Sequence, residues 1–381
     1  MSPRARSSSS TKAPTAKRLR AGAPDYFLLA IFAILIVFGL AMLASASSDL
    51  GKIQFNNSYY YIEHQLLYGL TIGVLGFFVA YKINYQRFKK LAFILLLVSL
   101  FFLVLVFTPL GSVVNSTNRW LRFGPLSFQP AELMKLTYLI YLGAWLSNAK
   151  FKRATDLQSG FLPFAIVSGI IAALLILQPA TSTVAILIAS GLVVYFVSGA
   201  PFRYILTFIG IGIAVIALVI LATPYRRARI EGFLNKGSNV QGQNYQVDQA
   251  LIAIGSGGVA GVGYGQSAVK ASYLPDPIDD SIFAVIAEEL GFIGAASLVV
   301  LFALLTFRMF QLARRIGDQF GRLLLIGFGT VIAFQALVNM ASISGVIPLT
   351  GVPLPFVSYG GTALAVFTTM MGLSLNISRY A

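Results

Sequence analysis

The sequence predicts an all-α polytopic membrane protein of about ten transmembrane helices, with a long extracytoplasmic loop between helices seven and eight. Three observations carry that prediction. Of 381 residues, 57% are hydrophobic and 11% charged, whereas an ordinary soluble domain carries about 25% charged residues. A chain this long and this apolar cannot hide its side chains in one water-soluble core, so a bilayer must act as solvent for most of it. Second, apolar runs of near-span length recur at 26–46, 62–80, 91–108, 131–147, 160–178, 182–198, 204–222, 281–306, 323–344 and 361–378. Third, the net charge is +15, and nineteen of the 28 Lys and Arg fall before the first run or in alternate connections after it. Positive residues mark the cytoplasmic face. The excess is therefore topological, both termini are expected in the cytoplasm, and no nucleic-acid partner is needed to explain it.

Taken in order, residues 1–24 are rich in Ser, Ala, Pro and basic side chains and read as a disordered cytoplasmic tail. Residues 25–381 are expected to form a single membrane domain. The opening apolar run is long enough to span and lacks a small-residue cleavage pattern, so no cleavable signal peptide is expected. Ten runs from a cytoplasmic N-terminus leave 47–61, 109–130, 223–280 and 345–360 outside. The third of these loops is the longest, and holds Gly, Asp, Gln and Tyr in place of Leu and Ile. Its stretch Ile252-Ala-Ile-Gly-Ser-Gly-Gly-Val-Ala-Gly-Val-Gly-Tyr-Gly265 is too glycine-rich for a lipid-facing helix. Non-helical backbone persists at membrane depth only where protein or a wet cavity covers it. Residues 240–280 are thus expected to be a re-entrant or surface-lying wall of an outward-facing cavity. The internal repeat usual in carriers is not evident.

The chemistry has few residues to draw on. There is no cysteine and one histidine, His64, which removes disulfides, thiolate metal sites, His-based metal clusters and Ser-His pairs. Polar and ionisable groups at membrane depth are costly, so each is a functional candidate. Asp280 stands at the outer mouth of the eighth run, in Leu274-Pro-Asp-Pro-Ile-Asp-Asp. Partial burial and a neighbouring Asp279 both act to raise a carboxylate pKa, which favours a general base near neutral pH. Capping of the following helix is the competing use of Asp276, Asp279 or Asp280. Glu288, eight positions after Asp280, lies near its face of the helix, either paired with a Lys or Arg elsewhere or touching substrate. Glu132 and Lys135, at i and i+3, are placed to pair with each other or to line the site. Arg119 offers the planar fork that grips phosphate oxygens, and Lys270 is a further phosphate candidate. Arg226, Arg227 and Arg229 suit headgroup anchoring, and His64 an aromatic belt. In Gly345–Gly361, three prolines and four glycines suit a rigid lid carrying Ser358 and Tyr359.

Four motifs then make the chain recognisable by resemblance. They are Arg119-Trp with Gln129-Pro-Ala-Glu-Leu-Met-Lys135, Ile252-Ala-Ile-Gly-Ser-Gly-Gly258, Asp280-Ser-Ile-Phe-Ala-Val-Ile-Ala-Glu-Glu-Leu-Gly291, and Leu349-Thr-Gly-Val-Pro-Leu-Pro-Phe-Val-Ser-Tyr-Gly-Gly361. In this order they resemble the SEDS family of FtsW and RodA, from about Asp25 to Arg379. The Ser45-Ala-Ser-Ser48 and Tyr59–Gln65 segments are more similar to FtsW, which implies septal synthesis. The resemblance implies a ten-span peptidoglycan glycosyltransferase of the bacterial cytoplasmic membrane that polymerises lipid II at the outer surface. Its implied partners are a class B penicillin-binding protein and other division-complex membrane proteins. The resemblance makes Asp280 the essential acid and places Glu132 and Lys135 in a family motif. An inverting transfer needs one base and cations at the diphosphate, here Arg119, Lys135 and Lys270, or a divalent cation such as Mg or Mn. A lipid II flippase and a scaffold that activates a penicillin-binding protein are the alternatives. One departure stands out: where the family commonly has Gln-Pro-Asp, this chain has Gln178-Pro-Ala180.

Overall fold

The structure is a computed structural model that describes residues 22–114, 117–124, 126–148, 153–234, 243–268 and 274–381. Lys270 and all but the last three residues of the expected tail lie outside them. Helix α1 (Tyr26–Phe55) leads into α2 (Tyr60–His64) and α3 (Thr71–Lys82), joined through a π-helical turn at Gln65–Leu70, and then α4 (Gln86–Leu105). Strands β1 (Gly111–Val114), β2 (Thr117–Phe123) and β3 (Leu126–Phe128) precede α5 (Pro130–Leu146). A π turn at Leu157–Phe161 opens α6 (Leu162–Leu177), followed by α7 (Thr181–Val197) and α8 (Phe202–Ala222). The long loop carries α9 (Pro224–Leu234) and α10 (Gln243–Ser256). The chain ends with α11 (Ile282–Arg315), α12 (Gln319–Ile343) and α13 (Gly361–Ser378).

With α2 and α3 counted as one and the loop helices α9 and α10 set aside, these helices coincide with the ten apolar runs. Among the described residues, eight are long and apolar enough to cross a membrane. The other two, α5 and α7, have 17 residues each, about 25 Å of helix at 1.5 Å per residue, near the lower limit for a span. The bundle is graded from centre to edge: α13 is 89% buried over its most apolar window and α12 78%, against 6% for α8. Lipid must therefore solvate nearly all of α8.

The termini share one end of the bundle. Gly22 N–H donates to Arg379 O at 2.7 Å, and Asp25 N–H to Ser378 Oγ at 3.0 Å. Arg308, near the end of α11, closes on Asp25 there at 2.5 Å. Burial would raise the Asp25 carboxyl, but bonds from Arg308 and the Leu28 amide outweigh it and hold the group below its usual range.

At the opposite end the sequence reading missed an element. Residues 109–130, expected as plain loop, form an antiparallel three-stranded meander with Gly111 opposite Leu121 and Leu121 opposite Phe128. Too short for a strand periodicity to show, the meander is stitched to the bundle by Gln129 N–H to Thr362 Oγ1 and by Thr362 Oγ1 to Ser127 O.

The glycine-rich wall also has a physical cause. Gly291 adopts φ 64°, ψ −164° and breaks α11, which frees the carbonyls of Glu288 and Glu289. Val262 and Gly263 N–H groups bond them, and Phe292 and Ile293 N–H groups return bonds to Gly258 and Val259. This strand-like seam works because the backbones nearly touch. A Cβ on Gly261 would lie 2.2 Å from Glu289 O, and one on Gly291 2.3 Å from Gly261 N. Broken helix and loop thus satisfy one another's backbone groups, as membrane depth demands.

Candidate active site

Asp280 is delivered by a stiff turn. Pro275 and Pro277 fix their φ angles, and Asp276 takes φ 47°, a value that Asp tolerates better than most residues. The Asp279 and Ser281 amides both fold back to Asp276 O, at 3.2 and 3.3 Å. Asp280 ends 9% exposed, immediately before α11 and its N-cap Ser281.

Three neighbouring elements clamp this turn. From α10, Gln246 Nε2 donates to Asp280 Oδ1 at 3.0 Å and to Ser281 Oγ at 2.9 Å. From α12, Asn339 Nδ2 donates to Asp280 O and to Val352 O, each at 2.8 Å. From the last loop, Ser358 Oγ donates to Asp279 O and accepts from Leu354 N–H at 2.8 Å. Tyr359 N–H reaches Ile278 O at 2.9 Å, and the Tyr359 hydroxyl lies 2.9 Å from His64 Nδ1. Gly351 passes beside the carboxylate: a Cβ there would sit 3.7 Å from Asp280 Oδ2. Ser358 and Tyr359 therefore do more than line a lid, since they hold the acidic turn down.

The two adjacent acids differ. Burial pushes the Asp279 carboxyl up to about 8, with like charges on Asp276 and Asp280 adding to it. At neutral pH Asp279 is mostly protonated. Burial beside Asp279 also raises the Tyr359 hydroxyl.

The remaining expected site residues are placed as follows. Lys135 is 0% exposed, with Nζ 2.6 Å from Glu132 Oε1 and 2.6 Å from Gln335 Oε1, and 5.5 Å from the Phe367 ring centre. The pair forms as its spacing predicts, but inside the bundle rather than on a substrate-facing surface. Gln335 carries it onward, donating to Pro353 O at 2.9 Å. Gln335 and Asn339, at i and i+4 on α12, therefore grip the last loop side by side. Glu288 is also turned inward, accepting from Ser267 Oγ and from Ala268 N–H at 3.1 Å. Among the described residues its partners are this hydroxyl and this amide, with no Lys or Arg. Its neighbour Glu289 accepts from Ser45 Oγ at 2.6 and 2.7 Å, which accounts for a serine of the Ser45–Ser48 segment. Arg119 spends its fork on carbonyls, with Nε to Gln178 O at 2.9 Å and Nη2 to Pro179 O. It braces the same turn in which Ala180 caps α7 without a side-chain bond.

Sequence reasoning missed Gln246, Gln335 and Asn339. For Gln335 and Asn339 the signal was present, because neutral amides inside an apolar helix are also costly; Gln246, in the polar helix of the long loop, gives no such signal.

Ten helical segments and a carboxylate turn clamped at one bundle end define a polytopic membrane protein whose polar site sits at the edge of the membrane. A family model described as "Cell cycle protein", the FtsW/RodA/SpoVE model, matches residues 26–381. The stage V sporulation protein E of Bacillus subtilis is 36% identical over 360 residues, covering 94% of this chain and 98% of its own. Probable peptidoglycan glycosyltransferases FtsW from Trichlorobacter lovleyi and Thiomicrospira cyclica are 36% and 38% identical. They cover 95% and 93% of this chain, and 95% and 91% of their own. Among solved structures, one described as structural coordination of polymerization and crosslinking by a peptidoglycan synthase complex matches at TM-score 0.77 and 30% identity. It covers 94% of this chain and 98% of that one. Thermus thermophilus RodA matches at TM-score 0.69 and 28% identity over 94% of this chain and 97% of its own. The chain belongs to the FtsW/RodA/SpoVE family.

Proposed function

We propose that this protein is a peptidoglycan glycosyltransferase that polymerises lipid II into β-1,4 glycan strands by inverting transfer, with Asp280 as general base. The observation that carries the mechanism is the clamp. A carboxylate that is 9% exposed is held on its side chain by Gln246 and on its main chain by Asn339. A base must be fixed within hydrogen-bond reach of the proton it takes. Here Asp280 accepts the proton of the acceptor sugar's 4-hydroxyl as that oxygen attacks the anomeric carbon of the α-linked donor. The bond from that carbon to the diphosphate breaks, and the lipid diphosphate leaves. One displacement inverts the centre, so no second carboxylate nucleophile is required.

The diphosphate needs compensating charge. Lys135 and Arg119 already serve protein partners, so their contribution is to brace the site, and Lys270 is the cation assigned to the leaving group. A divalent cation is the other source of charge. The described residues contain no group of three His, Cys, Asp or Glu able to hold a metal. Magnesium, however, commonly binds together with substrate phosphates, so such an ion would arrive on the diphosphate and offset its charge there.

The shared end of the termini, with Lys82, Arg87 and Lys89 flanking the Asn84 and Tyr85 that bond Tyr380 and Asn376, and Arg314 and Arg315 following Arg308 on α11, supports a cytoplasmic position for both termini. Asp280 then faces outward from the cytoplasmic membrane, where lipid II is presented. The FtsW relatives support a role in septal synthesis alongside other division-complex membrane proteins. The synthase-complex neighbour supports a crosslinking partner of the class B penicillin-binding type. In a gel assay of polymerisation from purified lipid II, Asp280→Ala is expected to make no glycan while melting like the parent. Full activity of that variant would overturn the assignment, and lipid II translocation without synthesis by the parent would favour a flippase.

A further inference from the structure

Gln246 lies in the long outer loop, in none of the motifs that carry the family resemblance, yet it alone of the clamping residues described above bonds the Asp280 side chain. The polarity of that contact is determined by its neighbours. Ser281 Oγ donates its proton to Pro275 O at 3.0 Å, so towards Gln246 it offers a lone pair. The Asp280 carboxylate likewise only accepts when ionised. Both partners therefore require a donor, and only the amide nitrogen of Gln246 satisfies them at 3.0 and 2.9 Å. A flipped amide would set its carbonyl oxygen against two acceptors.

The backbone under Gln246 is equally defined. Ala250 and Ala253 lie one and two turns further along the same face of α10, and both are 0% exposed. One more turn along, Gly257 abuts α11 so closely that a Cβ would lie 2.0 Å from Ala287 O. Small residues seat α10 flush on the buried start of α11, and Gln246 projects from that seat to the turn at its N-terminus. Among the described residues, the charged groups adjoining Asp280 on its own segment are Asp276 and Asp279. α10 adds only Asp248, which is exposed, and the last loop carries no charged residue between Gly345 and Gly361.

We propose that Gln246 is a positioning residue that holds the Asp280 carboxylate in its working orientation through a donated amide hydrogen bond. The proposal rests on the reading of Asp280 as the base. It assigns Gln246 no contact with substrate. A misplacement of about 1 Å in a reacting group costs on the order of 100-fold in rate, so the effect belongs in turnover and not in substrate affinity.

The test uses the full chain, purified in detergent and supplied with lipid II, comparing the parent with Asp280→Ala, Gln246→Leu and Gln246→Glu. Gln246→Leu is expected to lower kcat about 10- to 100-fold with KM within about twofold. Gln246→Glu keeps the shape but sets a like charge beside the carboxylate. Its acidic pH–rate limb should move up by about one unit or more, because the ionised form that acts as base is disfavoured. Should Gln246→Leu fail to fold, the isosteric Gln246→Glu decides through its pH profile. Parental kcat and pH profile in both variants, or a raised KM with kcat intact, would overturn the positioning role. If Asp280→Ala remains active, it is the reading of the base that fails, whatever Gln246 does.

Discussion

Replacing Lys135 with methionine isolates the electrostatics of the buried pair, because the two side chains are similar in length and little cavity is opened. The Nζ removed is 0% exposed and bonds Glu132 Oε1 and Gln335 Oε1, both at 2.6 Å. What remains is a carboxylate 2% exposed, whose other oxygen, Oε2, already has no hydrogen-bond partner among the described residues. Breaking a buried ion pair from one side costs roughly 3–5 kcal/mol, since the surviving charge is left uncompensated. Replacing both members with apolar residues of similar volume is often neutral. Lys135→Met should therefore melt well below the parent in detergent, and Lys135→Met with Glu132→Leu should recover most of the loss. Thermal unfolding of the three proteins, followed by size-exclusion chromatography after heating, measures both steps. The reasoning fails if the single variant melts with the parent, or if the double variant is no better than the single. A single variant of parental stability with a raised KM for lipid II would instead return Lys135 to the diphosphate.

Two further outcomes follow from the acidic turn and its brace. With the Asp279 carboxyl raised from 3.8 to about 8, the unfolded chain ionises first, so this group's stabilising contribution is complete below about pH 4 and lost as pH rises towards 8. Asp279→Asn should thus gain melting temperature over the parent progressively across that window and level off above it; a difference independent of pH would refute the shift. Ala180 caps α7 without a side-chain bond, beside the carbonyls that hold Arg119. Ala180→Asp should supply the missing acceptor and stabilise by about 1 kcal/mol, read as a higher melting temperature, and an unchanged or lower one would count against it.

The bundle was legible because membrane spans write themselves into sequence as long apolar runs, and all ten helical segments fall on those runs. The meander between Gly111 and Phe128 was not, since its strands are too short to establish an alternating pattern and its register depends on contacts with Thr362 and α5. At the site, the spacing of Glu132 and Lys135 correctly implied a pair. Spacing on one helix says nothing about which way that pair faces, however, and packing against α12 and α13 decided it. Arg119 has a fork that suits carbonyls and phosphates alike, and only the fold shows that its Nε and Nη2 meet the carbonyls of Gln178 and Pro179. Gln246 and Asn339 escaped notice because an uncharged amide gives no sign in a charge inventory, although burial makes it nearly as demanding.

The break at Gly291 bears on how the molecule transmits force. Above it, Ile282–Glu289 are buried throughout, whereas just below it Phe292 and Ile293 are 69% and 58% exposed. One stretch of sequence thus serves as two mechanical parts, a short post set in protein and a long shaft whose one face, with Leu298, Phe302, Leu305 and Met309, is buried while the other turns outward. The post is bolted to the glycine-rich loop by the seam at Val262 and Gly263 and, through α10, to Gln246. No through-running helical ladder crosses the joint, and both parts are tied to the same loop, the post by Val262 and Gly263 and the shaft by Gly258 and Val259. The far half of the helix therefore reaches Asp280 by way of the glycine-rich loop and α10, and not along one continuous helix.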